Sequence, residues 1–172
     1  MKNKLGIALL AFVVIITGSY ILFNKLGGDN PVQISLVEKN PEPLTGIYYI
    51  GTPQDEKLKE AFEEIETQKS LHPGTFLHTI YEVEPAGKLD TMKVFIGLNQ
   101  ALSGEEFESR IFQEKQYLVA KIQSNKWVMP GPEIVKEQLM NFADSAKLTL
   151  TGIFIDKIIT DNEVHVIAPV KD

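Results

Sequence analysis

The sequence predicts an α+β protein in which one apolar N-terminal helix precedes two halves, each a strand, an amphipathic helix and two further strands. Three observations predict this. Residues 5–23 (LGIALLAFVVIITGSYILF) carry no charge. Leu58, Ala61, Phe62 and Ile65, and again Val135, Leu139, Phe142 and Ala143, recur at helical spacing. Each of these stripes is followed by two β-rich runs joined through a turn.

The N-terminal run matches the roughly 20 apolar residues that cross a bilayer as a helix. It is longer than the ~7–15-residue apolar stretch of a secretory signal peptide. Its exit, Tyr20-Ile21-Leu22-Phe23-Asn24, is too bulky for a cleavage site. Residues 1–23 therefore read as a transmembrane anchor and residues 24–31 (NKLGGDNP) as a short flexible linker. Residues 32–172 form the remaining domain. Lys2, Lys4 and the terminal amine precede the run and Lys25 follows it. By the positive-inside rule the N-terminus stays in the cytoplasm and the domain is exported. The expected location is a bacterial inner membrane, crossed once.

In the first half, residues 32–51 hold two extended pieces around Asn40-Pro41-Glu42-Pro43, the second rich in the β-formers Ile47, Tyr48, Tyr49 and Ile50. Thr52-Pro53-Gln54-Asp55 reads as a helix start, with Thr52 as cap and Pro53 at the first helical position. Residues 76–84 and 92–98 read as strands joined through Pro85-Ala86-Gly87-Lys88.

The second half repeats the order. A strand is best placed at residues 117–122, within 110–123. A helix follows, with Gly131 as cap and Pro132 in its first turn. Residues 152–160 and 163–170 form two strands across the Asp161-Asn162 turn. Neither half buries a sizeable core alone, so the two share a sheet or pack together.

Composition narrows the chemistry. The chain has no cysteine, which excludes disulfides, thiolate metal sites and cysteine nucleophiles. Beyond residue 23 it carries 15 lysines and arginines against 23 acids, and Arg110 is its only arginine. Phosphate recognition needs clustered Arg and Lys, so no nucleic-acid partner is expected. His72, His78 and His165 lie far apart with no metal-ligand spacing, so no metal, haem or other cofactor is expected. G-x-S-x-G, P-loop and G-x-G-x-x-G motifs are missing.

Three stretches resemble the GyrI-like (gyrase-inhibitor-like) small-molecule-binding domain, the effector-binding fold of bacterial transcription activators. The first is Ile80-Tyr81-Glu82, then Lys88-Leu89-Asp90 and Val94-Phe95-Ile96-Gly97-Leu98. The second is Tyr117-Leu118-Val119-Ala120 before a Gly/Pro-led helix. The third is the closing strand Val164-His165-Val166-Ile167-Ala168-Pro169-Val170. The resemblance covers residues 32–172. It implies two βαββ modules about a pseudo-twofold axis with a ligand cleft between them, an architecture shared with haem-binding proteins of the SOUL type. Members that bind cationic drugs carry a Glu on the strand after the second helix; here that stretch has none, and Asp156 is only an approximate substitute.

The expected function is binding of a small organic ligand in an apolar, aromatic-lined cleft. Tyr48, Tyr81, Phe95, Trp127 and Phe154 are its candidate aromatics, with Glu82 at the rim. Tyr81 and Trp127 stand out, each joining a large apolar face to a hydrogen-bonding tip. Tyr81 and Glu82, as strand neighbours, face opposite ways unless the strand bulges. One alternative is a small-molecule hydrolase using Glu82 or Glu84, which at i,i+2 share a strand face about 7 Å apart. The other is a protein-interaction module with a vestigial cleft.

Overall fold

The computed structural model describes the backbone of residues 2–172 and the side chains of residues 9–172. Apolar alternation and helical stripes place most elements where the sequence puts them. The first half is β2 (Leu44–Gly51), α2 (Glu56–Leu71), β3 (Leu77–Val83) and β4 (Met92–Leu98). The second is β6 (Tyr117–Gln123), α3 (Pro132–Ala146), β7 (Ile155–Thr160) and β8 (Glu163–Pro169). Two short strands complete the sheet: β1 (Gln33–Val37) and β5 (Glu108–Arg110).

All pairings are antiparallel, in the order β1-β6-β8-β7-β3-β4-β2-β5. Each half contributes the same triplet, β2-β4-β3 and β6-β8-β7, and the triplets meet at β3 and β7. That seam is short: Leu77 faces Ile158, His78 faces Lys157 and Thr79 faces Asp156. The outer strands close the two edges, β1 on β6 and β5 on β2.

Strand alternation sorts the side chains into separate cores. Val94, Ile96 and Leu98 meet Ala61 and Ile65 of α2. Leu118, Ala120, Val166 and Ala168 meet Val135, Leu139 and Ala143 of α3. Intervening residues point to the other face, where Ile80, Phe95, Val119, Ile155 and Ile167 form a third cluster with Phe112 and Tyr117. Both helices thus lie on one face of the sheet, above the two halves, and leave the seam between them.

Local chemistry moves two boundaries. The N-cap of α2 is Asp55 rather than Thr52; its Oδ1 accepts from the Lys57 N–H at 3.0 Å. Thr52 instead accepts the Asp55 N–H in a preceding turn, so Pro53 lies ahead of the helix. Strand β7 starts at Ile155 rather than 152, because Gly152 takes a left-handed φ of 89°. Gly131 and Pro132 start α3 as the sequence indicates.

Ahead of the sheet, α1 (Lys2–Lys25) is continuous. Its described apolar side chains, among them Leu9, Phe12, Val13, Ile16, Tyr20 and Phe23, are all exposed. Among the described residues no helix is long and apolar enough to cross a membrane. The first four residues of the run at 5–23 lie outside the described side chains. The linker is tied down: the Asn125 N–H donates to the Leu26 carbonyl at 2.8 Å, and Asn30 Nδ2 donates to the Gln123 carbonyl at 2.6 Å. Tyr20 and Asn24 of α1 both donate to Asp29, at 3.1 and 3.0 Å.

Candidate functional site

The seam between the halves has a β3–β7 floor and one helical wall. Thr79 and Asp156 stand opposite each other on that floor. Lys136 and Glu133, with Pro132, present the first turns of α3 on one side. Phe154 and Gly152 come from the segment leading into β7, Tyr81 and Glu82 from the end of β3, and Glu84 from just beyond it. Together they line a cavity of about 610 Å³. Small-molecule sites usually enclose about 300–1,000 Å³.

A β-bulge decides which acids reach this cavity with Tyr81. Tyr81 pairs with Val94, but Val83 pairs with Lys93, leaving Glu82 as the extra residue. Alternation resets beyond the bulge, so Glu84 shares the helix-side face with Tyr81. The expected i,i+2 pairing of Glu82 and Glu84 on one face is therefore corrected. Glu82 turns at the rim toward the opposite face, where Lys93 Nζ lies at 2.7 Å and Arg110 Nη1 at 3.0 Å. The Tyr48 hydroxyl donates to it at 3.4 Å and itself accepts from Arg110 Nη1 at 2.7 Å. The Lys93 hydrogen bond leads the forces that hold the Glu82 carboxyl below its ordinary range; burial opposes them. A carboxylate so engaged is a poor proton acceptor.

Glu84 pairs instead with Lys136 across the cavity. The Lys136 ammonium also lies 5.6 Å from the centre of the Phe154 ring and 3.5 Å from Glu133 Oε1. Burial alone would pull this lysine down, but the hydrogen bond and charge of Glu84, aided by Glu133, raise it above the ordinary value. Burial pushes the Asp156 carboxyl up to about 6; Lys136 works against that shift and Glu84 adds to it. Burial, then the charges of Asp156 and Glu84, raise the Tyr81 phenol.

The structure brings Tyr81, Glu82, Glu84 and Phe154 to the cavity. Three other candidates lie elsewhere. Phe95 is fully buried on the helix-free face, and Tyr48 packs edge-on against it with ring centres 5.0 Å apart. Both obey the alternation that aims Val94 and Tyr49 at α2 and these two away from it. Trp127 is 81% exposed in the turn between β6 and α3, with only the Lys126 ammonium over its ring. Lys136, Asp156 and Thr79 are among the lining residues that were not sequence candidates. Asp156 carried a signal, an acid inside the apolar run GIFIDKIIT; Lys136 carried none, standing next to Val135 among other charged helix residues. The histidines remain apart, and among the described residues no group of three or more His, Asp or Glu is placed to hold a metal ion.

No family model matches the chain, and no curated protein matches it significantly. Solved structures share its fold. EcmrR in its complex with DNA superimposes with a TM-score of 0.58 at 13% identity, over 99% of this chain and 69% of that one. The isolated EcmrR C-terminal domain gives 0.55 at 13% identity, over 82% of this chain and 98% of that one. A hydrolase from Listeria innocua gives 0.56 at 9% identity, covering 81% and 92%. At such identities the shared property is the fold. The chain is an α+β protein with an eight-stranded antiparallel sheet, and these neighbours are consistent with the GyrI-like fold.

Proposed function

We propose that the chain is a membrane-anchored domain that binds a small organic molecule in the cleft between its two halves. The observation that carries the reading is the cavity of about 610 Å³ at the β3–β7 seam, where Tyr81 and Phe154 supply apolar surface and Asp156 a half-buried polar group. Apolar walls with a few placed polar groups are the usual make-up of small-molecule sites. The resemblance of residues 32–172 to the GyrI-like small-molecule-binding domain supports the same reading. The hydrolase reading draws on the Listeria innocua neighbour, but Glu82 is held by two cations and Glu84 by Lys136, so neither is poised as a base.

The test is a mixed-compound thermal-shift screen on the full chain in detergent. A ligand that binds the folded state alone raises the unfolding temperature with concentration. A set of hits that lose affinity in Phe154→Ala supports the cleft. Turnover of a compound that is lost in Glu84→Gln supports the hydrolase.

The anchor rests on residues 5–23 and on the exposure of every described apolar side chain of α1. A helix face that is apolar all round belongs in a core or a bilayer, and the described side chains of α1 stand outside the three cores. At 24 residues α1 is about 36 Å long. Lys2 and Lys4 then keep the N-terminus cytoplasmic and the domain on the exported side of a bacterial inner membrane. The full chain is expected to resist carbonate extraction from membranes, and a reporter fused after Asp172 to be active only in the exported compartment. Release by carbonate removes the anchor, and cytoplasmic reporter activity reverses the topology.

A further inference from the structure

We infer that Lys136 is a built-in occupant of a cation seat, and that it makes the cleft selective for an uncharged aromatic ligand over a cationic one. The inference rests on the cleft reading above and names the ligand class for that same cavity. An aromatic face and carboxylates around one point are what an organic cation needs. The cavity has that arrangement: the Phe154 ring centre lies 5.6 Å from the Lys136 ammonium, Glu84 bonds it, and Glu133 lies 3.5 Å away. The ammonium is tethered by its own helix, and its side chain is only 18% exposed. A free cation has to displace it, breaking the Glu84 pair and the ring contact together. An uncharged ligand pays no such penalty. It enters beside the lysine, against Tyr81, with the Asp156 carboxyl on the floor as its hydrogen-bond partner.

The probes are 4-tert-butylphenol and (4-hydroxyphenyl)trimethylammonium, which have the same shape and differ by carbon for charged nitrogen. Their binding to the full chain in a non-ionic detergent is followed through the amide NMR signals of Thr79, Phe154 and Asp156. The wild type is expected to bind the phenol at least about tenfold more tightly than the ammonium. In Lys136→Met the ammonium is expected to gain at least about tenfold, since the seat is vacated and one repelling charge removed. Lys136→Gln tests the same point where the methionine variant does not fold, and Lys136→Arg should keep the wild-type order. Equal ammonium affinity in the wild type and both neutral variants overturns the inference, while phenol binding at these amides leaves the cleft reading standing. If neither probe perturbs the three amides in any variant, the cleft reading itself falls.

Discussion

His78 and Asp156 lie one register step apart on the same seam, on opposite faces of the sheet, and burial shifts their protonation equilibria in opposite directions. Asp156, with Lys136 and Glu84 around it, is pushed up to about 6 from an ordinary 3.8. Between those values the folded protein keeps a proton that the unfolded chain has released, so a rise in pH destabilises. His78, 1% exposed and beside Lys157 and Glu42, is pulled down to about 4 from 6.5. There the unfolded chain holds the extra proton, so a rise in pH stabilises. Each effect is on the order of 2–3 kcal/mol, and the windows overlap.

The two slopes should nearly cancel in the wild type between pH 4 and 6 and separate in variants. Asp156→Asn is expected to gain stability as pH rises through this window, and His78→Gln to lose it. Urea unfolding at several pH values reads both. Parallel pH profiles for the two variants would show that these groups do not set the dependence.

The rim network around Glu82 sits partly in water, so its effect is small. Its lowered carboxyl contributes stability above the ordinary carboxylate range, and that contribution is lost as pH falls through the lowered value. Glu82→Gln should cost at most about 1 kcal/mol at pH 7, with the difference shrinking in high salt. A salt-independent loss of several kcal/mol would mean that the carboxylate holds the bulge by itself.

Gly46 and Gly97 face each other across β2 and β4. A Cβ at Gly46 would strike the Ile96 carbonyl oxygen and the Gly97 Cα, which are backbone and cannot turn aside. Gly46→Ala is therefore expected to destabilise by at least about 1–3 kcal/mol in denaturant melts. A neutral result would show that this pair has room to shift.

Much of the scaffold was legible because its determinants are local. The stripe Val135, Leu139, Ala143 and the cap Gly131-Pro132 specify α3 without reference to other elements. Partner choice was not local: nothing in QISLV says that β1 pairs with β6 of the far half, and the three residues of β5 show no alternation. The site was legible where a residue's face follows from an unbroken strand, as for Tyr81. It was lost where the bulge resets alternation and brings Glu84 inward. Trp127 misled because sequence places a residue near a helix start but does not say whether its turn offers apolar neighbours. Lys136 was hidden among charged helix residues, and only packing shows that it turns toward Phe154 rather than to water.

The central claim, that a small molecule binds at the seam, is tested most directly by comparing Tyr81→Ala with Trp127→Ala in the affinity of one screen hit for the full chain. Tyr81 lines the cavity and is 39% exposed, whereas Trp127 lies outside it and is 81% exposed. Tyr81→Ala should weaken binding by about 1–3 kcal/mol, the scale of one large apolar side chain, while the protein stays folded. Trp127→Ala should leave both affinity and stability unchanged. Loss of binding in Trp127→Ala with wild-type affinity in Tyr81→Ala would contradict the account and move the site away from the seam.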